Sequence, residues 1–144
     1  DMALFKFTRA ILNNMPITIY NGGHHVRDFT YIDDVSEAVV KVLDRPPQKN
    51  PGWDSMQPDP GSSASPWQVY NIGCGSPIRL MDYIGELEQR LGKKALIEFM
   101  PIQPGDVVST FSDTSLLFED FGFRPKTTIK DGIEKFVAWY LKYY

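Results

Sequence analysis

Apolar side chains recur at helical spacing in several segments of the chain. In the first segment one face of a helix is formed by positions i, i+3, i+4, i+7 and i+8, which are Leu4, Phe7, Thr8, Ile11 and Leu12. Pro16 ends this predicted helix. The same spacing predicts a helix that begins at Asp34, one over residues 80–91 and one near the C-terminus, with a shorter helix over residues 113–122. The predicted core faces of the three longer helices are Val35, Ala38, Val39, Val42 and Leu43; Leu80, Ile84, Leu87 and Leu91; and Ile129, Ile133, Phe136, Val137 and Tyr140.

Capping residues mark the ends of these helices. Asp34 and Thr128 each have an acidic residue three positions on, which is typical of the first turn of a helix. Gly92 and Gly122 are expected to be C-terminal caps, because glycine adopts left-handed backbone without steric cost. The helical pattern is already present at residue 1, so we expect the chain to be part of a longer protein.

Short runs of β-branched and aromatic residues lie between the helices. They predict strands over residues 17–20, 26–32, 67–73 and 95–101. A strong turn signal, Asn21-Gly22-Gly23, separates the first two. Alternation of strands and helices indicates a small α/β layer.

Residues 45–66 differ in composition from the rest of the chain. They are rich in proline, glycine and serine and offer little to bury, so we expect a long, flexible surface loop rather than a domain boundary. At 144 residues the chain has the length of one ordinary domain, so we predict a single α/β domain over residues 1–144.

Charge and cysteine content exclude several classes of protein. A net charge of -3 gives no reason to expect nucleic-acid binding, and the single Cys74 excludes an internal disulfide framework or a metal cluster built on several cysteines. No apolar run approaches the about 20 residues of a membrane span, and no signal-peptide pattern opens the chain. We therefore expect a cytoplasmic protein without membrane association.

Residues that could carry chemistry by themselves are scarce. The turn at Gly73 and Gly75 lacks the third glycine of a dinucleotide fingerprint. His24 and His25 are adjacent, lack further ligands at metal-binding spacing, and are interpreted as exposed turn residues. Cys74 has no histidine close in sequence to act as a base. No tyrosine is followed by lysine four positions later, so a Tyr-x-x-x-Lys pair for proton abstraction is missing from these 144 residues.

The stretch RDFTYIDDV at residues 27–35 is much more specific. Together with ITIYNGG, VYNIG, MPIQPGDV and GFRPKTTIKDGIEKFVAWY, in this order and spacing, it resembles the nucleotide-sugar epimerases and dehydratases of the extended short-chain dehydrogenase/reductase family. The combination of DMALFKFTRAIL, RDFTYIDD and MPIQPGDV is most similar to UDP-glucuronate 4-epimerases of polysaccharide synthesis. The resemblance covers the chain from end to end except the proline- and serine-rich loop.

The resemblance implies how the parent enzyme is divided. In this family the NAD-binding glycine motif, the catalytic Tyr-x-x-x-Lys and a catalytic serine or threonine lie in the N-terminal Rossmann portion. This chain resembles the small C-terminal substrate-binding lobe, so we expect the Rossmann domain to be absent and the chain to hold no catalytic, cofactor or metal residues. NAD and a homodimeric state are expected of the full-length enzyme. The fragment alone is expected to be inactive and to self-associate through apolar surface on its first helix and on VYNI.

The resemblance also implies four substrate-binding positions. Tyr20 is expected beside the uracil ring, where an aromatic face can stack, and Arg27 on the diphosphate, which suits a planar, permanently charged guanidinium. Gln103 and Asp106 belong to a turn that faces the nucleotide, but Gln103 stands where related UDP-galactose epimerases have a second arginine. The alternatives are structural: Arg27 as a surface residue paired with Asp28, Tyr20 as a core aromatic, and Gln103 and Asp106 as turn-stabilising residues.

The sequence leads to one principal hypothesis and two alternatives. The chain binds the UDP-sugar for an NAD-dependent epimerase that oxidises and re-reduces C4 of UDP-glucuronate or UDP-galacturonate. One alternative is another reaction of UDP- or dTDP-sugars on the same scaffold, such as UDP-galactose epimerisation, dehydration or decarboxylation. The other is a non-catalytic nucleotide-sugar binding module.

Overall fold

The computed structural model describes residues 2–144, which form five α-helices and four β-strands. In chain order these are α1 Ala3–Leu12, β1 Pro16–Tyr20, β2 Val26–Arg27, α2 Ile32–Asp44, β3 Ile78–Arg79, α3 Leu80–Leu91, β4 Leu96–Met100, α4 Ser115–Phe121 and α5 Ile129–Tyr143. A 3-10 turn, Asn21–Gly23, follows β1. The expectation of a helix from the very first residue falls on Asp1, which lies outside the described residues; α1 begins at Ala3.

The internal contacts of the chain group its residues into two compact units. The first comprises the residues up to Phe29, Ser76–Phe111 and Thr127–Tyr144, and the second comprises Thr30–Gly75 and Ser112–Lys126. Among the described residues, no helix is both long and apolar enough to cross a membrane.

The first unit is built on a parallel pair of strands. β1 and β4 run in register from Pro16 opposite Leu96 to Tyr20 opposite Met100. Ile17 and Ile19 of β1 alternate with exposed residues and are buried under the apolar faces of α1, α3 and α5. The predicted helix positions form this core as expected, with Ile11, Ile84, Leu87, Ile133 and Val137 all buried. The predictions of strands at 17–20 and 95–101 are therefore confirmed.

The ends of the helices follow the predicted capping chemistry in three cases. Gly92 and Gly122 end α3 and α4 with φ of 63° and 62°, in the left-handed region. The hydroxyl of Thr128 accepts a hydrogen bond from the backbone N–H of Asp131 at 3.2 Å and so caps α5. These local signals act within one turn of backbone, which is why the sequence alone reveals them.

The second unit packs α2 against α4 over a small core. Ala38, Leu117 and Phe123 are buried at its centre, with Val42 and Tyr70 packed beside them. The predicted capping box at Asp34 is wrong: α2 begins at Ile32 after Tyr31, which makes no side-chain cap, and Asp34 is a buried residue of the first turn.

Two further predictions in the second unit are wrong. On α2 the predicted core positions Val39 and Leu43 are 45% and 72% exposed. The buried face of this helix is narrow and contains Asp34 and Ala38. Residues 67–73 form no strand. Their contacts with neighbouring backbone include a bridge between Ser62 and Gln68 and a hydrogen bond from the N–H of Val69 to the carbonyl of Gly61.

The proline-rich segment 45–66 is held by its own polar side chains. Asp59 accepts hydrogen bonds from the backbone of Gly61 and the hydroxyl of Ser62, and Asn50 donates to the same hydroxyl. Ser62 is buried. Turns of this kind need no hydrophobic core, since the side chains satisfy the backbone locally.

Candidate functional site

Three charged or polar side chains of the first unit meet at one place. The guanidinium of Arg27 lies 3.3 Å from Oδ1 of Asp106, and Nε2 of His25 lies 3.2 Å from Oδ2 of the same carboxylate. Arg27 and Asp106 are separated by 79 residues in the sequence. The carboxylate of Asp106 thus bridges an imidazole and a guanidinium.

Backbone pairing on both sides of β2 places Arg27. On one side β2 pairs antiparallel with β3, and on the other Val26 exchanges backbone hydrogen bonds with Val108 and Thr110, at 2.9 and 3.1 Å. The guanidinium itself donates to the carbonyls of Val26 and Val108, both at 3.1 Å. Two other chain segments, β3 and the stretch from Asp106 to Thr110, therefore hold β2 and orient the planar donor group of Arg27.

The turn after β1 brings His25 beside this pair. Asn21, Gly22 and Gly23 all have positive φ, and a Cβ on Gly23 would lie 2.7 Å from the sulfur of Met81. A side chain at position 23 therefore could not fit without moving Met81. The carbonyl of His25 accepts a hydrogen bond from the N–H of Leu80 at 2.8 Å, which ties the turn to the start of α3.

The interpretation of His25 as an exposed turn residue is wrong. His25 is 4% exposed, whereas its neighbour His24 is exposed as expected. Adjacent residues point in different directions here, and only the fold determines which of them faces Asp106. The adjacent pair of histidines was the available signal, but it does not reveal which of the two is buried.

A cavity of about 350 Å³ opens beside these residues. Its polar lining includes Tyr20, Arg27 and Asp106, and its apolar lining includes Phe7 and Phe29. Tyr20 is half-buried at the end of β1. A cavity that combines aromatic walls with a fixed cation suits a ligand with both a flat ring and an anionic group.

The structure brings together three of the four predicted substrate-binding residues. Tyr20, Arg27 and Asp106 line the cavity. Gln103 is exposed, and its backbone carbonyl accepts a hydrogen bond from the N–H of Asp106 at 3.1 Å. The contribution of Gln103 seen here is therefore to shape the turn that carries Asp106.

Phe29 and Tyr83 support the wall of the cavity. Their rings stack in parallel with centroids 4.4 Å apart and planes inclined by 9°. Burial raises the pKa of the Tyr83 phenol far above its usual range, so this hydroxyl stays neutral. Tyr83 therefore serves as a packing residue rather than as a proton acceptor.

The glycine turn at Gly73 and Gly75 does not fit a dinucleotide. In dinucleotide-binding proteins such a turn opens directly into a helix, whose N–H groups hold the pyrophosphate. Here Ser76 and Pro77 follow, the chain then forms β3, and α3 begins at Leu80. Within residues 2–144, no group of three or more His, Cys, Asp or Glu side chains could hold a metal ion.

Comparisons with known proteins agree with the motif at residues 27–35. The family model described as "NAD dependent epimerase/dehydratase family" matches residues 1–85. Protein CapI of Staphylococcus aureus is 51% identical over 144 residues, which is all of this chain and 43% of CapI. A probable UDP-glucuronate 4-epimerase of Rhizobium meliloti is 41% identical over 97% of this chain and 41% of its own length.

A solved structure shows the same fold. UDP-glucuronic acid 4-epimerase of Bacillus cereus, in complex with UDP-glucuronic acid and NAD, superposes with a TM-score of 0.79 and 27% identity over the whole of this chain and 41% of the other. The chain thus spans less than half the length of the curated relatives it matches. On the extent of the family match, this chain belongs to the NAD dependent epimerase/dehydratase family.

Proposed function

We propose that residues 1–144 form the C-terminal UDP-sugar-binding domain of an NAD-dependent nucleotide-sugar epimerase that interconverts UDP-glucuronate and UDP-galacturonate at C4. The observation that carries the proposal is the cavity of about 350 Å³ in which Arg27 is fixed beside an aromatic lining. The relatives named as UDP-glucuronate 4-epimerases support the choice of sugar.

Arg27 is the proposed ligand of the diphosphate. A guanidinium remains charged at every physiological pH and offers parallel donors that match two phosphate oxygens. Its side chain is 28% exposed, so it can reach a ligand in the cavity while the carbonyls of Val26 and Val108 hold it in place.

Tyr20 and Asp106 have complementary proposed roles. The phenol ring of Tyr20 lines the cavity at the end of β1, where its face can stack on uracil. The carboxylate of Asp106 orients Arg27 and can accept hydrogen bonds from ribose hydroxyls. Gln103 supports both indirectly through the turn that holds Asp106.

Catalysis is proposed to require groups outside these 144 residues. The sequence contains no Tyr-x-x-x-Lys pair, and the glycine turn does not fit a dinucleotide. NAD supplies the oxidation and reduction at C4 in the proposed parent enzyme, whose Rossmann domain would complete the site. The chain alone should therefore bind UDP-sugar without converting it, and NAD-dependent epimerisation by these residues alone would contradict the proposal.

Replacing Arg27 by alanine tests the proposed diphosphate contact. Titration calorimetry with UDP-glucuronate should show Arg27→Ala to bind more weakly by about 1.5–3 kcal/mol, the usual cost of a lost hydrogen bond to a charged group. Arg79→Ala is the matched control, because Arg79 pairs with Asp82 on the surface and is absent from the cavity lining. Equal affinity of Arg27→Ala and the unaltered chain would refute the role of Arg27.

Product analysis tests the proposed reaction separately. The longer protein that contains this sequence, incubated with UDP-glucuronate and NAD, should yield UDP-galacturonate, which proton NMR of the sugar distinguishes. A product lacking the carboxylate would instead indicate a decarboxylase, and a deoxy-keto product a dehydratase. Either of these products would leave the binding role of Arg27 in place while changing the assigned reaction.

A further inference from the structure

We propose that His25 is a positioning residue that sets the charge of the diphosphate site, so that UDP-sugar binding is coupled to protonation of its imidazole. The proposal rests on the proposed function, because it takes the ligand of Arg27 to be a diphosphate. His25 lines the cavity beside Asp106. Its proposed role is to act on the phosphates through the carboxylate of Asp106 rather than as their direct ligand.

The charges at the site motivate the proposal. Arg27 carries one positive charge, but the carboxylate of Asp106 lies 3.3 Å from it and cancels that charge at a distance. A diphosphate with two negative charges would therefore approach a neutral pair. When His25 is protonated, the three side chains together carry a net charge of +1.

The geometry makes this charge effective. His25 is 4% exposed, and its Nε2 lies 3.2 Å from Oδ2 of Asp106 without a well-aligned hydrogen bond. The attraction between them is strongest when the imidazole carries a positive charge. Because the imidazole itself is largely shielded from bulk water, a charge on it is screened less than a surface charge would be.

Protonation also changes what Arg27 can do. Each oxygen of Asp106 contacts one partner, Oδ1 the guanidinium and Oδ2 the imidazole. A positive imidazole draws electron density of the carboxylate toward Oδ2 and weakens its competition with phosphate for the guanidinium. When the imidazole is neutral, the carboxylate of Asp106 competes fully with phosphate for the guanidinium of Arg27.

Among residues 2–144, the other polar and charged side chains near this cluster do not supply a second free positive charge to the site. Asp28 follows Arg27 on the chain and lines the same cavity. Arg79, at the start of α3, pairs with Asp82 through two contacts of 2.8 Å and has a largely exposed side chain. The uncharged Gln103 supplies no positive charge from the turn.

Histidine is the side chain whose charge changes between about pH 5 and pH 8. Binding and protonation are reciprocal: if protonation of His25 favours the diphosphate, the diphosphate must favour protonation of His25. The expected signs are therefore tighter binding as pH falls through this range, and uptake of a proton when ligand binds.

UDP-glucose is the probe of choice. It contains no phosphate monoester, whose second pKa of about 6 would otherwise confuse the measurement, and it has no carboxylate. Its own charge is therefore constant across the histidine range. Titration calorimetry of the full 144-residue chain at about pH 6 and about pH 8.5, in buffers of different ionisation enthalpy, measures both affinity and proton uptake.

His25→Gln and His24→Gln form the matched pair of variants. These are the only histidines in the sequence, and His24 is exposed, so the two variants remove one imidazole each from adjacent positions. Glutamine retains a polar amide that can contact Asp106 but cannot become charged. It therefore separates the geometry of the site from its charge.

The unaltered chain and His24→Gln should bind UDP-glucose at least about fivefold more tightly at the lower pH, with uptake of a fraction of a proton. His25→Gln should match them at the higher pH and lose the gain at the lower pH. As a second measurement, addition of UDP-glucose to the unaltered chain at one fixed pH should move the NMR signals of the His25 imidazole toward those of a protonated imidazole and leave those of His24 in place.

Two results would overturn the proposal while the proposed function survives: pH-independent binding by the unaltered chain, or the same pH dependence in His25→Gln. The NMR measurement decides the matter on the unaltered chain if His25→Gln does not fold. Absence of UDP-glucose and UDP-glucuronate binding at both pH values would overturn the proposed function itself.

Discussion

At the scale of single residues, Tyr70 shows how one hydroxyl can hold an irregular segment in place. Its Oη donates a hydrogen bond to Oδ2 of Asp120 at 2.6 Å, and its ring packs edge-on against Phe121. The guanidinium of Arg45 lies 4.9 Å from the centre of the Phe121 ring and donates to the carbonyl of Asp120. These contacts fix Tyr70 within residues 67–73, where the sequence predicts a strand and the structure has none.

Burial, followed by the hydrogen bond to Asp120 and its negative charge, raises the pKa of Tyr70 from 10.0 to about 12. Because the folded state favours the neutral phenol, this stabilisation is fully present below pH 10 and is lost as pH rises toward about 12. The difference in unfolding free energy between the unaltered chain and Tyr70→Phe should therefore shrink across that interval. Urea unfolding followed by circular dichroism measures it.

At neutral pH, Tyr70→Phe should lower the free energy of unfolding by about 1.5 kcal/mol, the loss of one hydrogen bond to a charged acceptor. Tyr143→Phe is the control, since Tyr143 is 62% exposed. Equal destabilisation by both changes would show that the hydroxyl of Tyr70 makes no special contribution. A difference that stays constant from neutral pH to about pH 12 would contradict the assigned cause of the pKa shift.

At the scale of elements, the ends of helices depend on single side chains to different degrees. Thr128 caps α5 by accepting from the N–H of Asp131, and its hydroxyl also donates to the carboxylate of Asp131 at 2.7 Å. Thr114 occupies the same position before α4 but makes no side-chain cap. The chain thus offers two threonines at equivalent positions, of which one satisfies a free backbone N–H group.

Thr128→Ala should therefore lower the free energy of unfolding by about 1 kcal/mol, whereas Thr114→Ala should change it by less than half of that. Thermal or urea unfolding of the two variants, compared side by side, measures both. If Thr114→Ala destabilised the chain as much as Thr128→Ala, the loss would reflect threonine packing rather than capping.

At the scale of the whole molecule, the outer side of the β1–β4 pair leaves apolar groups in contact with water. Leu96, Phe99 and Met100 of β4 are each about half exposed, and within residues 2–144 β4 pairs with β1 alone. The sequence had suggested α1 and VYNI as the exposed apolar surface; Met2, Phe5 and Val69 are exposed there too. Unpaired strand edges with apolar side chains favour association between chains.

We expect the 144-residue chain to associate with a second copy through β4. Sedimentation at increasing concentration should show a growing dimer fraction, and Phe99→Lys should reduce it, because a charge on an exposed strand opposes pairing. Met56→Lys is the control, since Met56 is 84% exposed in the segment 45–66. A monomer at every concentration would contradict the expectation, as would equal effects of the two changes.

Local chemistry made much of the fold predictable. The buried faces of α1, α3 and α5 follow directly from apolar spacing, and the caps at Gly92 and Thr128 follow from the residues themselves. Each of these signals is complete within about two helical turns. The motif at residues 27–35 likewise identified the family, since it is a continuous stretch of chain.

Some features follow from the sequence, and others depend on residues that are far apart in it. The sequence alone determined that this is an α/β chain of the epimerase/dehydratase family, with Tyr20, Arg27, Gln103 and Asp106 as candidate ligand residues. Only the tertiary structure decided that α2 begins at Ile32. It also decided that His25, rather than His24, is buried against Asp106, and that Asp106 holds Arg27. The reason is physical: local patterns report backbone preferences and one buried face, whereas the charge of a site is set by side chains that meet only when the chain has folded.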